Sequence, residues 1–139
     1  MISSSSRYLV AVIAFDRVIP FHLSVPCLVF GAVPDNNPFD VVVCAGETGP
    51  LRTSAGFGLT DLAPVDVLEQ ADILVVPGWR DTLDQPPDTL LEALRQAHER
   101  GDVFVDHQNS LASRLELPQH APDLGAQEGR QAFCRFIKN

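Results

Sequence analysis

The chain has 139 residues, of which 45% are hydrophobic and 20% charged, and its formal net charge is -8. This length and balance fit a single globular domain with one core. An acidic surface repels phosphate backbones, which argues against direct nucleic-acid binding by these residues. The first apolar run is too short to span a bilayer, and no targeting segment is visible. We therefore expect a cytoplasmic protein with no membrane partner.

The cysteines Cys27, Cys44 and Cys134 are odd in number and have no metal-ligand spacing. Cys27 and Cys44 lie in apolar segments, which predicts buried thiols in a reducing compartment. The four histidines are spread along the chain without ligand spacing, so we predict no metal site and no cofactor.

Continuous apolar runs rich in β-branched residues predict buried strands, and these runs alternate with segments of helical periodicity. This alternation favours an α/β fold with a mainly parallel sheet and helices on both sides. Pro26 implies that the first helix is kinked or starts late, and Asp88 is the predicted N-cap of the last helix. The predicted strands are 8–15, 39–45, 73–76 and 103–105, the predicted helices are 20–31, 64–70 and 88–100, and a hairpin is predicted over 49–60.

The patterning divides the chain into three parts. Residues 1–7 are Ser-rich and predicted to be a disordered start. Residues 8–109 form the α/β domain. Residues 110–139 are predicted to be an irregular or partly helical tail, in which no further strand is predicted.

Three blocks, VAVIAFDRVIPFHLSVPCLVFG, FDVVVCAGETGPLRTSAGFGLT and ADILVVPGWRD, carry a resemblance to a known family. Their spacing, the SAGFGLT hairpin and the VVPGW strand end resemble the amino-terminal PfpI-like (class I glutamine amidotransferase-like) domain of AraC-type transcriptional regulators. The resemblance runs from about Tyr8 to Val105. It implies a flavodoxin-like three-layer sandwich, incomplete at its C-terminal end, and a homodimer.

The resemblance also implies a cysteine nucleophile on a sharp turn after the strand GDVFVD. His107 stands at that position, and Asn109 stands where the family has a glycine. The acid that family members carry in the first loop or helix is absent at His22 and Leu28. We therefore predict that the chain is not an enzyme, with His107 a strand-end residue near a pocket.

A small-ligand site is predicted at the carboxyl ends of the strands, because these ends border the binding crevice of open parallel sheets. Gly78 and Trp79 follow one strand and can offer backbone amides, and the single Trp suits recognition of a small molecule. Arg80 either pairs with a carboxylate or is held by Asp81. The competing interpretation is a structural turn that caps the strand, with Trp79 packed on the surface or against a partner.

Asp16 and Arg17 end the first strand at the same edge, with the same two interpretations. The predicted ligand-binding residues are Asp16, Gly78, Trp79, Arg80 and His107.

We thus predict a non-catalytic, small-ligand-sensing PfpI-like domain related to AraC-type regulators. The helix-turn-helix domain of those regulators is not recognisable here, and the chain departs from the family at about Asp102. The loss of patterning after Val105 suggests a deletion, frameshift or premature stop. One alternative is a PfpI-like hydrolase or hydratase that uses Cys27 or Cys44 as a displaced nucleophile. Another is a gene remnant without function.

Overall fold

A computed structural model describes residues 7–32, 35–81, 83–106 and 135–137. The strands are β1 (Tyr8–Ala14), β2 (Phe39–Ala45), β3 (Leu51–Arg52), β4 (Gly58–Leu59), β5 (Ile73–Val76), β6 (Val103–Asp106) and β7 (Arg135–Ile137). The helices are α1 (Pro20–Gly31), α2 (Asp88–Arg100) and a short 3-10 helix (Val65–Glu69).

The main sheet has five strands in the order β2-β1-β5-β6-β7. All neighbouring pairs are parallel except β6 and β7, which are antiparallel. Strand β1 is flanked on both sides, because Tyr8 pairs with Phe39 of β2 and Val10 pairs with Ile73 of β5. Strands β3 and β4 form a separate two-stranded hairpin.

Helices cover both faces of this sheet, as the alternation of side chains along β1 shows. Val10 and Val12 are buried in a cluster that includes Phe30 of α1. Ala11 and Ile13 are buried on the other face, in a cluster formed with the apolar side of α2 and the 3-10 helix. The predicted α/β fold, a flavodoxin-like three-layer sandwich with a mainly parallel sheet, is confirmed.

Helix α1 spans the predicted residues Pro20–Gly31 and runs through Pro26, so of the two alternatives for Pro26 a late start is wrong. Pro20 occupies the first turn, where the missing N–H costs nothing, and Pro26 is buried. Packing of α1 on the sheet therefore outweighs the local penalty of an internal proline.

Helix α2 has the predicted span, but its cap differs by one residue from the prediction. The amide of Leu91 donates to the carbonyl of Pro87, at 3.0 Å, so Pro87 is the N-cap and Asp88 lies in the first turn. There the Asp88 carboxylate complements the helix dipole. Gly101 ends the helix with a left-handed φ of 83°, as glycine at this position allows.

The three-residue strand β7 lies within the segment where no further strand was predicted. The division of the chain at residues 7 and 109 falls largely on residues outside those described. Among the described residues, no helix is long and apolar enough to cross a membrane.

Candidate functional site

The ends of β1, β2 and β5 converge on one polar cluster. Ala14 of β1 pairs with Ala45 of β2 in parallel register, and Asp16 and Glu47 each lie two residues beyond this pair. Arg80 follows β5, the other neighbour of β1. We call Asp16, Glu47, Arg80 and Asp84 the strand-end cluster.

Arg80 is the centre of the strand-end cluster. Its Nη1 and Nη2 donate to the two carboxylate oxygens of Glu47, at 2.6 and 2.5 Å. Nη1 also donates to the backbone carbonyl of Asp16, at 3.1 Å, and Nε lies 2.6 Å from Oδ2 of Asp84. A two-bond arginine–carboxylate contact fixes direction as well as distance. Arg80 thereby joins the chain segments that follow β1, β2 and β5.

Asp16 contributes both its backbone and its side chain to the strand-end cluster. Its amide donates to Oε2 of Glu47, at 2.7 Å. Its carboxylate accepts the amide of Arg52, at 3.0 Å, which ties in the β3–β4 hairpin. The next residue, Arg17, is exposed, with a left-handed φ of 62°, and its amide donates to the carbonyl of Arg52.

The ring of Trp79 packs against the guanidinium of Arg80. The guanidinium carbon of Arg80 lies 4.8 Å from the centre of the Trp79 ring, within cation–π range. The same ring packs against Phe15, with centroids 4.8 Å apart. The indole N–H donates to the carbonyl of Asp84, at 2.9 Å. The indole donor is therefore engaged within the protein.

The Arg80–Glu47 contact is largely buried. The side chains of Arg80 and Glu47 are only 15% and 13% exposed. Burial raises the pKa of the Glu47 carboxyl, but the hydrogen bonds from Arg80 and from the Asp16 amide outweigh it, so that this pKa is lower than usual. The hydrogen bond with Glu47 raises the pKa of Arg80. Both groups are charged at neutral pH.

Glycines at two of the strand ends shape this edge of the sheet. A Cβ on Gly46 would lie 2.8 Å from Cγ2 of Ile13 and 3.1 Å from Cδ2 of Leu90. Only glycine lets the chain pass this point and place Glu47 against Arg80. Gly78, which precedes Trp79, has a φ of 141°, a conformation that L side chains rarely adopt.

Four of the five predicted ligand-binding residues lie together in the structure. Asp16 and Arg80 come into direct contact, and Gly78 and Trp79 lie beside them. His107 lies outside the described residues. Arg80 pairs with Glu47 and Asp84. Asp81 does not hold Arg80, since its carboxylate accepts the amide of Leu83, at 2.9 Å.

Glu47 and Asp84 were missed by the sequence reasoning. A signal for Glu47 was present, since it follows the end of β2 by the same two residues as Asp16 follows the end of β1. The proximity of Glu47 to Asp16 and Arg80 can be inferred only when the order of the strands is known. Asp84 lies in the loop before α2, where periodicity carries no information.

The two described thiols lie away from this cluster, on α1 and β2. Cys44 is buried, and burial raises the pKa of its thiol to about 12. Burial also raises the pKa of Cys27, whose Sγ donates to the carbonyl of Leu23 at 3.3 Å. Neither has the thiolate character that a cysteine nucleophile needs at neutral pH.

A second concave surface lies along the outer side of β2. It is an open groove of about 700 Å³, lined by Leu23, Val41–Val43 and Leu59–Ala63. Its lining is apolar apart from Thr60 and Asp61. No group of three His, Cys, Asp or Glu side chains within the described ranges is arranged to hold a metal ion.

No family model matches the sequence, and no curated protein matches it. Solved structures do share the fold. A two-domain protein from Anabaena variabilis, with DJ-1/ThiJ/PfpI-like and ferritin-like domains, matches 80% of this chain with 16% identity and a TM-score of 0.64. A DJ-1 superfamily protein from Agrobacterium tumefaciens matches 71%, with 14% identity and a TM-score of 0.55. An AraC family transcriptional regulator from Pseudomonas putida matches 81%, with 20% identity and a TM-score of 0.59.

The chain covers 33% of the Anabaena protein, 52% of the Agrobacterium protein and 72% of the Pseudomonas regulator. The identities are low, so the likeness shows the fold and does not extend to activity. The chain shares the fold of these PfpI-like proteins, as the sequence predicts, and the AraC-family regulator shares that fold as well.

Proposed function

We propose that this chain is a non-catalytic PfpI-like domain that senses a small ligand at the carboxyl ends of β1, β2 and β5. The observation that carries the proposal is the strand-end cluster itself. Polar side chains from three separate segments meet where open parallel sheets bind their ligands. A rigid, prearranged cluster lowers the entropy cost of recognition.

Arg80 serves the proposed site mainly by positioning other groups. Its guanidinium already contacts Glu47, Asp84 and the Asp16 carbonyl. The ligand is therefore expected to meet the Asp16 carboxylate and the backbone at Gly78 and Trp79. His107, which follows β6 in the sequence, is proposed as a further contact. A carboxylate-bearing crevice in a protein of charge -8 favours ligands with amine or hydroxyl donors over acids.

The absence of catalysis is proposed on two grounds. His107 occupies the position where the resemblance implies a cysteine nucleophile. The two described thiols have raised pKa values, which weighs against the alternative of a displaced nucleophile. The acidic charge is consistent with a domain that does not itself bind nucleic acid.

The proposal is tested by a thermal-shift screen of the full chain against small amines, amino acids, sugars and carboxylic acids. We expect hits among the amines and polyols, seen as a rise in Tm. The test variant is Asp16→Asn, which keeps the backbone contacts and an acceptor for the Arg52 amide but removes the charge. The matched variant is Asp61→Asn, which removes a carboxylate from the groove beside β2.

Loss of the ligand-induced shift in Asp16→Asn, with the shift kept in Asp61→Asn, supports the strand-end site. The reverse pattern would move the site to the groove. A screen with no hit in any class would count against ligand sensing altogether.

A further inference from the structure

Strand β2 lies at one side of the main sheet, where the strand order begins β2-β1-β5. Its inner edge pairs with β1 from Phe39 to Ala45. Across the described part of the chain, its outer edge pairs with the backbone at one place only. There the amide of Ala63 donates to the carbonyl of Val43, at 2.9 Å, and the carbonyl of Ala63 accepts the amide of Ala45, at 2.8 Å. The outer edge is therefore open along most of the strand.

The contact with Ala63 shows which backbone groups of β2 point outwards. Val43 and Ala45 direct theirs to Ala63, and the direction of these groups alternates from one strand residue to the next. The amide and carbonyl of Val41 and the amide of Val43 therefore point outwards as well. Within the described ranges, no backbone group bonds to these three. We call residues 39–43, with these open groups, the β2 edge.

The β2 edge has the features of a strand that accepts a partner. An edge with unpaired amides and carbonyls can pair with a further strand. The three consecutive valines at 41–43 include none of the prolines or charges that usually prevent such pairing. The five residues of the edge span about 16 Å, which accommodates an extended peptide of similar length.

The open groove of about 700 Å³ runs beside the β2 edge, lined by the valines of β2, Leu23 of α1 and the segment 59–63. Asp61 in that segment has a left-handed φ of 57°. The chain turns there, so that Ala63 reaches β2 while residues 59–62 line the groove. The groove therefore offers space for the side chains of an added strand.

Charge indicates which peptide fits this groove. Among the described residues that line it, Asp61 alone is ionisable, and it is exposed. Asp40, at the start of β2, is already paired with Arg7, at 2.8 Å. The remaining lining is apolar except for Thr60, and the whole chain has a net charge of -8. An apolar segment with a lysine or arginine complements this surface, whereas an acidic segment is repelled.

We propose that the β2 edge binds an extended segment of another protein as an added strand. The segment is apolar at alternate positions and carries a lysine or arginine that meets Asp61. The backbone of Val41 and Val43 supplies the hydrogen bonds, and the groove receives every second side chain of the added strand. Few hydrogen bonds form and a flexible segment becomes ordered, so the complex is weak and reversible. The inference does not depend on the proposed ligand site.

The test is fluorescence anisotropy of the full chain with a rhodamine-labelled heptapeptide, in which four valines alternate with threonine, lysine and threonine. We expect saturable binding below about 1 mM. The control peptide has glutamate in place of the lysine and should bind more weakly. Two further peptides are N-methylated, one at its valines and the other at the three residues between them. Because alternate amides of an added strand face β2, one of these two should lose binding and the other should keep it.

Variants of the protein locate the site. Val41→Pro removes one outward amide and leaves the hydrogen bonds with β1, since an edge strand tolerates proline where its nitrogen faces outwards. We expect binding to weaken at least about 10-fold. Val41→Thr keeps the amide and the branched shape and is the matched control. Asp61→Asn removes the charge but tolerates the left-handed φ, and binding should weaken by up to about 5-fold. Thermal melts establish that each variant is folded.

Failure of the lysine peptide to bind the wild type at concentrations up to about 1 mM would overturn the proposal. So would retention of binding by both N-methylated peptides, or unchanged affinity in folded Val41→Pro. A self-association of the chain that Val41→Pro abolishes, seen by sedimentation equilibrium, would assign the β2 edge to a second copy and contradict it as well. Asp16→Asn should bind the peptide like the wild type, which separates this result from the test of ligand sensing.

Discussion

Arg80 and Glu47 face each other through two parallel hydrogen bonds of 2.6 and 2.5 Å, although they lie on segments that follow different strands. Glu47 follows β2 and Arg80 follows β5, and these two strands are not adjacent in the sheet because β1 lies between them. The contact therefore spans the end of β1 and includes the backbone of Asp16. It fixes the relative positions of three strand ends with one side chain.

Removal of Arg80 should be costly. Arg80→Met leaves the Glu47 carboxylate buried without its cationic partner, and we expect a loss of about 2–4 kcal/mol in the free energy of unfolding. The matched control is Arg95→Met, whose side chain is half exposed and lies 3.8 Å from Glu92. This exposed pair should contribute at most about 0.5 kcal/mol. Urea denaturation measures both values, and similar losses in the two variants would contradict the importance of the buried pair.

The Arg80–Glu47 pair should also impose a pH dependence on stability. The pKa of Glu47 is lower in the folded protein than its ordinary value of 4.5. The contribution of Glu47 is thus fully present above pH 4.5 and is lost as the pH falls through the lowered folded value. Glu47→Gln lacks this titration, so the stability advantage of the wild type over this variant should shrink on acidification. An advantage that stays constant between neutral and acidic pH would show that the carboxylate is not engaged as described.

Cys44 should be nearly inert towards iodoacetamide in the native protein. Its thiol pKa of about 12 lies well above the ordinary value, because burial disfavours the thiolate. The reactive thiolate fraction is therefore about 1,000-fold lower than in an exposed cysteine. Mass spectrometry after a timed reaction should show slow labelling of Cys44 in buffer and fast labelling in urea. Rapid labelling of Cys44 or Cys27 in the folded protein would revive the alternative of a displaced nucleophile.

Gly46→Ala should destabilise the fold without removing any polar contact. The added Cβ meets Ile13 at 2.8 Å and the Ala14 carbonyl at 3.2 Å, and neither neighbour can move away easily. We expect a loss of about 1–3 kcal/mol in the free energy of unfolding. Gly58→Ala is the control, because the atom nearest to its added Cβ lies 4.0 Å away. Equal thermal stability of the two variants would mean that the close approach at Gly46 is not a constraint.

Local sequence patterns predicted most of the individual elements. The span Ile73–Val76 was predicted residue for residue, because a short β-branched run ends at Pro77-Gly78. The inner side of α1 was predicted from the spacing of Leu23, Cys27 and Phe30. In both cases the information lies within a few consecutive residues.

The parts that were missed depend on contacts between distant segments. Strand β7 has three residues, too few for a period, and it is defined only by its pairing with β6. Glu47 was missed because its proximity to Arg80 follows from the strand order β2-β1-β5 and not from either local sequence. The choice between a kinked and a late-starting α1 was left open, because local sequence rules do not include the burial of Pro26 against the sheet.

The position of β1 between β2 and β5 has a consequence for synthesis of the chain. Strand β1 leaves the ribosome before β2 and β5, so neither edge of β1 can pair until Phe39 and Ile73 have been synthesised. At a translation rate of about 5–20 residues per second, the nascent strand stays unpaired for seconds. During that interval the run YLVAVIA is an apolar segment with two open edges, a form that favours aggregation. Early binding by a chaperone would be most useful at this segment.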